Sequence, residues 1–178
     1  MQFPDSDFWN FSIRFYAQAE VETICLDLQN QHQLDINTVL FVFWLAAEKN
    51  TVLSTEQWQQ LLSVSLPWQE IIKPLRKSRV LLKDATIAWP VNFQHETKDS
   101  ISQIEINAEH MQQLAMEKSF SNMTIEASSV SADQQIKNNI LNLLDACNNN
   151  ITYEMIKTNI KRLHDVFQAD QDNKKIIA

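Results

Sequence analysis

The most basic part of the chain contains two arginines three residues apart, Arg76 and Arg79. Residues 68–83 hold five of the 15 basic side chains and one acid. On a helix, four of these cations share an arc of about 120°. They are Lys73, Arg76, Arg79 and Lys83. An arginine pair one turn apart can hold a phosphate or a carboxylate through paired hydrogen bonds. The segment therefore predicts a site for an anion or an acidic partner, or else a solvated face that balances acids elsewhere.

A second group of candidate residues surrounds the start of a predicted helix. Asp35 is suited to be its N-cap, Asn37 lies in its first turn, and Gln29 is expected nearby. One hypothesis is that Asp35 pairs with Arg76 or Arg79 and orients that arginine for a ligand. The aromatic residues assigned to the same candidate site are Trp44 and Trp68.

Metal and cofactor chemistry is not predicted. The chain has no glycine, which excludes glycine-rich phosphate loops. Its four histidines are scattered singly, with no metal-ligand spacing, and His110 beside Glu109 is expected at the surface. Cys25 and Cys147 form no C-x-x-C pair. We therefore predict no metal, no cofactor and no catalytic residue, and we leave the question of enzymatic activity open.

The hydrophobic period is helical nearly throughout, so the fold class is predicted as an all-α bundle of about eight helices without significant sheet. The predicted helices cover 7–16, 20–31, 35–49, 54–66, 67–83, 100–120, 131–147 and 152–168. Pro74 is expected to kink or restart the fifth helix near residue 73. Residues 85–99 have no clear period and are interpreted as an apolar loop or a short extended segment.

The predicted domain organisation has three parts. Residues 1–120 form a helical core domain, the serine-rich residues 121–130 a hinge, and residues 131–178 a C-terminal helical hairpin with a frayed tail. The turn at residues 148–150 consists of asparagines, which tolerate a positive φ where glycine is absent.

Several pieces of the first half together resemble a known family. They are Phe8-Trp9-Asn10-Phe11-Ser12, Tyr16, Cys25-Leu26-Asp27-Leu28-Gln29, Asp35-Ile36-Asn37, Trp44, Trp68 and the run from Pro74 to Lys83. The family consists of small uncharacterised bacterial proteins, mainly from proteobacteria, and the resemblance is clear over residues 8–83. Since the family has no established activity, the resemblance implies no mechanism. One departure is Gln33, which stands where the family usually has glycine.

The net charge restricts the expected partners, and the lack of a recognised targeting segment indicates the expected compartment. The chain has 178 residues and a formal net charge of −7, which argues against non-specific coating of nucleic acid. No signal peptide or membrane-spanning run is recognised, and a cytoplasmic protein with reduced thiols is expected.

Three functions follow as expectations. The first is a non-enzymatic helical adaptor or regulatory binding module, in which the basic face of residues 73–83 and nearby aromatic residues bind an acidic protein segment or a phosphate-bearing ligand. The second is an RNA or ribosome-associated protein that uses the same face, with a steep salt dependence of affinity. The third is an enzyme that acts on a small anionic substrate in an interhelical pocket, with Asp35 as base. The third requires a partly polar cavity that contains both Asp35 and an arginine. The oligomeric state is left open.

Overall fold

The chain folds into a bundle of α-helices, as predicted. The computed structural model describes residues 3–83 and 90–177, and within them there are seven α-helices and no strand. The helices are α1 Asp7–Tyr16, α2 Val21–His32, α3 Ile36–Trp44, α4 Thr55–Lys83, α5 Val91–Ser121, α6 Ala132–Cys147 and α7 Tyr153–Ile177. A π-helical turn, Leu45–Lys49, extends α3. The all-α prediction is confirmed, and the number of helices is one fewer than expected.

Helix starts follow the local capping chemistry. Ser54 and Gln57 form a reciprocal capping box at the start of α4, since each side chain accepts a hydrogen bond from the other residue's backbone N–H. The Ser131 hydroxyl accepts from the backbone N–H of Gln134 and begins α6. Asp35 caps α3 by accepting from the backbone N–H of Asn37 at 3.0 Å. The predicted helix starts are confirmed. They were predictable because each depends only on residues that are close in the sequence.

The prediction of two helices on either side of Pro67 is wrong, because α4 is continuous through both Pro67 and Pro74. Each proline removes one backbone hydrogen bond, but both lie on the exposed side of α4, where water can satisfy the carbonyls left without a donor. Packing along α5 stabilises the helix on both sides of the prolines. The helix predicted to begin at residue 100 begins nine residues earlier, at Val91. Of the segment interpreted as a loop, residues 84–89 lie outside the described residues.

Helix α3 is the centre of the bundle. Every side chain from Asn37 to Trp44 is buried. Phe41 contacts the rings of Phe8, Trp58 and Phe120 at centroid distances of 4.9, 6.0 and 5.8 Å. The other helices pack around α3, and the antiparallel pair of α4 and α5 forms the longest contact between two elements. This arrangement places the first turns of α3 against the α4–α5 pair.

The C-terminal helices share this core. Ile136, Leu163 and Phe167 belong to the same hydrophobic cluster as the central aromatic residues. The segment predicted as a hinge is hydrogen-bonded to the body, since the Ser128 backbone N–H donates to the Asn50 carbonyl at 2.8 Å and the Thr51 hydroxyl donates to a carbonyl of the same segment. The division at residues 121–130 stays a prediction, but the buried apolar side chains described after residue 131 belong to the same core as those before it.

The turn between α2 and α3 gives a testable consequence of the missing glycine. Gln33 has φ 55°, in the left-handed region, and its backbone N–H closes the helix by donating to the Gln29 carbonyl at 3.0 Å. A side chain there costs about 1–2 kcal/mol. Glycine removes this cost but adds disorder to the unfolded chain, which offsets part of the gain, so we expect Gln33→Gly to raise the free energy of unfolding by about 0.5–1 kcal/mol.

Urea unfolding measures this change. The control is Gln31→Gly inside α2, which we expect to lower stability by about 1 kcal/mol. Equal losses in both variants would show that Gln33 is not strained.

Candidate functional site

A pocket of about 500 Å³ lies between α1, α2, the start of α3 and the α4–α5 pair. One part of its wall is apolar, with Trp9, Ile13, Ala17, Leu26, Ile36, Leu40 and Ile106. The other part is polar, with Ser12, Tyr16, Gln29, Asp35, Asn37, Arg76, Arg79, Ser102, Glu105, Glu109 and Gln113. Its volume is in the range of pockets that hold small molecules. The walls of the pocket therefore match a ligand that has an apolar body and a polar or charged head.

The pocket brings together five of the nine site residues predicted from the sequence. They are Gln29, Asp35, Asn37, Arg76 and Arg79. The other four do not line it.

These four residues lie in two different environments. Lys73 and Lys83 are exposed on α4, and Trp68 is half-buried there. Trp44 is buried in the core against Phe8 and is 1% exposed. The four predicted cations are therefore divided, with two lysines toward solvent and two arginines in the pocket wall.

The two arginines are held by glutamates of α5. Glu105 accepts from Arg76 Nε at 3.0 Å and from Arg79 Nε at 2.6 Å, and Arg79 Nη2 adds a longer bond of 3.2 Å. Glu109 accepts from Arg76 Nη2 at 2.8 Å. The Glu105 carboxylate is nearly buried, with 6% of its side chain exposed. Among the described residues, no ion pair joins Asp35 to either arginine, so the structure shows a different pairing from the hypothesis of the sequence analysis.

These bonds leave part of each guanidinium available. They use the Nε and Nη2 groups, and within the described part of the chain no hydrogen bond involves Nη1 of Arg76 or of Arg79. The side chains are 23% and 33% exposed. Because their other edges are fixed by Glu105 and Glu109, both guanidinium groups are held in place before any ligand binds.

Asp35 is the fixed point of a hydrogen-bonded network behind the pocket. Its Oδ2 accepts from the Ser65 hydroxyl at 3.1 Å and from Gln112 Nε2. Gln112 Oε1 accepts from Asn37 Nδ2 at 2.6 Å, and Asn37 Oδ1 accepts from Gln113 Nε2 at 2.7 Å. The network runs from α3 to α4 and α5 and is almost entirely buried. It fixes the first turn of α3 against the α4–α5 pair.

Two buried polar atoms of pocket-lining residues have no partner among the described residues. They are Ser12 Oγ and Gln113 Oε1, in residues that are 3% and 2% exposed. Buried polar atoms are satisfied in the great majority of cases. A molecule bound in the pocket would supply the hydrogen-bond partners that these two atoms lack.

Burial also raises the pKa of three acidic groups in the pocket. It raises the pKa of Asp35 above its ordinary value, although hydrogen bonds from Gln112 and Asn37 oppose the shift. Burial likewise raises the pKa of Glu109, against the nearby Arg76 guanidinium. Burial raises the pKa of Tyr16 as well, so its hydroxyl stays protonated. The pocket therefore favours the neutral forms of Asp35, Glu109 and Tyr16 more than water does.

A pH dependence follows for Glu109. Because its pKa is raised in the folded protein, the ionised form costs stability, and that cost increases as the pH rises through the pKa. As the pH rises above about 4, the ordinary pKa range of glutamate, we expect the stability of Glu109→Gln to increase relative to that of the wild-type protein. Urea unfolding of both proteins at several pH values measures it. A move in the opposite direction would show that the attraction of Arg76 outweighs burial.

Sequence reasoning missed the α5 side of the site. Glu105, Glu109, Gln112 and Gln113 recur at helical spacing and form one polar stripe, but stripes of this kind are usually solvated. The sequence did contain one signal. Two glutamates of α5 are four residues apart, and the two arginines of α4 are three residues apart, so the two pairs have similar spacing along their helices.

The expectation that His110 lies at the surface is wrong. His110 is 7% exposed and stacks on Trp9 at 4.1 Å, with Phe3 at 4.4 Å from its ring. Burial lowers its pKa. Trp9 also lines the pocket, so this stack fixes one part of the pocket wall.

The residues that the structure describes contain no group of three or more histidine, cysteine or acidic side chains that could hold a metal ion. None of the helices described has the length and apolar character needed to cross a membrane.

Comparison with known proteins assigns a family. Residues 7–116 match the model of the family described as "Protein of unknown function (DUF2390)". Because the match covers more than half of the chain, the protein belongs to this family, as the resemblance in its first half indicated. Every residue that lines the pocket lies within the matched range. No curated protein matches the chain, and no solved structure matches it.

Proposed function

We propose that this protein is a non-enzymatic binding protein for a small amphipathic molecule with an anionic head group. The observation that carries the proposal is a pocket of about 500 Å³ with an apolar wall and two pre-positioned arginines, Arg76 and Arg79. Of the partners expected from the sequence, a small anionic ligand fits this geometry better than an acidic protein segment, because the arginines line a concave site.

The environment of Asp35 favours binding over catalysis. A general base needs an oxygen that can reach the substrate proton. Both oxygens of Asp35 already accept hydrogen bonds, from the Asn37 backbone, from Ser65 and from Gln112. The carboxylate therefore serves to organise the pocket wall. The enzymatic alternative would need this network to open.

Matched amphiphiles test the proposed function. Decanoate, decanol and decylamine share one apolar body and differ in the charge of the head group. We expect decanoate to bind most tightly by calorimetry, because a carboxylate can accept from the arginine Nη1 groups. Loss of one charged hydrogen bond costs about 1.5–3 kcal/mol, so Arg79→Gln should weaken decanoate by about tenfold or more.

The control is Lys83→Gln, which removes a neighbouring cation of α4 that is exposed and does not line the pocket. We expect it to leave decanoate binding unchanged. Equal losses in the two variants would indicate non-specific attraction, and no binding of any amphiphile would refute the proposal.

A second candidate function uses the outer face of α4. Lys73, Lys77 and Lys83 are exposed there, beside Val80 and Leu81, which are 45% and 48% exposed. A mixed basic and apolar face is suited to an acidic protein segment. Under this alternative, reversing Lys73 and Lys83 to glutamate would abolish partner binding without affecting decanoate. A steep loss of binding with salt and with added RNA would favour the RNA-binding version instead.

The proposed compartment is the cytoplasm. Cys25 and Cys147 are both unpaired, which supports a reducing environment. Burial raises the pKa of Cys25 to about 12 and of Cys147 to about 11, so neither thiol is activated as a nucleophile.

A further inference from the structure

We propose that the pocket selects a bifunctional ligand, an elongated monocarboxylic acid with a hydrogen-bond donor at the end opposite its carboxylate. The inference rests on the proposed function and specifies its ligand class. The carboxylate binds at Arg76 and Arg79, and the donor, a hydroxyl or an amide N–H, reaches Gln113 Oε1. Two features carry it, namely the direction of the amide network and the distance between its end and the arginines.

The direction of the network is set by Asp35. A carboxylate oxygen can only accept from Gln112, so Gln112 must turn its nitrogen toward Asp35 and its oxygen away. Gln69 Nε2 also donates to that oxygen, at 3.1 Å, which agrees with this orientation. Each amide then fixes the next one. Asn37 turns its nitrogen to Gln112 and its oxygen to Gln113.

The last group of the network is an acceptor without a donor. Gln113 uses its nitrogen on Asn37, so its oxygen is left over, and this oxygen is the buried atom without a partner. Ser12 Oγ, also without a partner, belongs to the same pocket. A buried acceptor of this kind favours a ligand that brings a hydroxyl or N–H group and disfavours one that places only carbon there.

The two ends of the pocket are separated along α5. Glu105, which holds both arginines, lies eight residues before Gln113, and Glu109, which also holds Arg76, lies four residues before it, so the helix rise separates the two ends by about 6–12 Å. Apolar side chains of α1 and α5, including Trp9, Ile13 and Ile106, line the same pocket. A ligand that satisfies both ends is therefore elongated, with an apolar middle.

The charge balance favours a carboxylate over a phosphate. Arg76 and Arg79 already face Glu105 and Glu109, so the four groups together are close to neutral. A monoanion adds one charge to a partly buried site, whereas a phosphate monoester adds nearly two, and uncompensated charge is costly there.

The test compares 10-hydroxydecanoate with decanoate on the full-length protein by calorimetry. The two acids share a carbon chain and differ in one terminal hydroxyl. If the hydroxyl meets the Gln113 oxygen, we expect 10-hydroxydecanoate to bind about tenfold more tightly. Without an acceptor in the pocket, the hydroxyl loses its hydrogen bonds to water and gains none. In that case 10-hydroxydecanoate binds more weakly than decanoate. We expect decyl phosphate to bind more weakly than decanoate.

Variants assign the effect to Gln113. Gln113→Met removes the acceptor at similar size, and we expect it to reverse the preference so that decanoate binds better. Gln103→Met, at an exposed position of α5, is the matched control and should keep the preference for the hydroxy acid. If Gln113→Met does not fold, the affinities of the wild-type protein for the two acids still show whether the hydroxyl strengthens or weakens binding.

The outcomes separate the two proposals. If decanoate binds in an Arg79-dependent manner but the hydroxyl weakens binding, the bifunctional ligand is refuted and the proposed function stands. If decyl phosphate binds more tightly than decanoate, the choice of a monocarboxylic acid is refuted. If none of these molecules binds, the proposed function itself fails.

Discussion

Replacing Trp44 with alanine is expected to lower the free energy of unfolding by about 3–5 kcal/mol. Trp44 is 1% exposed and contacts the rings of Phe41 and Phe120 at 5.0 and 5.6 Å. The deletion removes a large buried surface at the centre of the bundle, and the surrounding helices can close the resulting cavity only in part. Guanidinium unfolding monitored by circular dichroism measures the loss.

Trp68 gives the matched comparison for this prediction. It was assigned to the same candidate site from the sequence, but it is half-buried on α4. We expect Trp68→Ala to cost less than about 1.5 kcal/mol. Equal costs for the two variants would contradict the position of Trp44 in the core.

Replacing Glu105 with glutamine should have two effects of opposite sign. Glutamine keeps the shape but removes the charge shared by Arg76 and Arg79, and loss of one partner of a buried ion pair costs about 3–5 kcal/mol. Because the arginine side chains are 23% and 33% exposed, water compensates in part, and we expect a loss of about 2–3 kcal/mol. At the same time, the arginines lose a competing anion, so decanoate should bind more tightly.

Chemical unfolding and calorimetry on the same samples test this pair of effects. The control is Glu96→Gln, an exposed position on α5 that should change neither property. A loss of stability together with weaker decanoate binding would mean that Glu105 acts only by holding the arginines in place. Unchanged stability would contradict the shared ion pair.

Features that depend on sequence neighbours could be predicted. The capping of α3 by Asp35, the capping box of Ser54 and Gln57, and the positive φ of Asn148, which is 46°, all depend on groups within a few residues of one another. The all-α class follows from a hydrophobic period that repeats along the chain. Capping, turn and periodicity rules predict these features correctly because the features do not depend on residues far away in the sequence.

The partners of the two arginines could not be predicted in the same way. Arg76 and Arg79 meet Glu105 and Glu109 only because α4 and α5 pack antiparallel, and the register of that packing is set by side chains along both helices. The continuity of α4 through Pro67 has the same origin, since packing on α5 outweighs a local tendency to break. Tertiary contacts decided these points, and one sequence does not reveal their register.

The central claim is that an anionic amphiphile binds in the pocket beside Arg76 and Arg79. The most direct measurement is a titration with decanoate while the side-chain indole N–H signals of the five tryptophans are recorded by NMR. Among the described tryptophans, Trp9 lines the pocket, whereas Trp44 and Trp58 are buried in the core. We predict a saturable shift of the Trp9 signal, while the signals of Trp44 and Trp58 stay in place. A Trp9 signal that does not move, with shifts confined to Trp68, which lies on α4 and does not line the pocket, would contradict this claim.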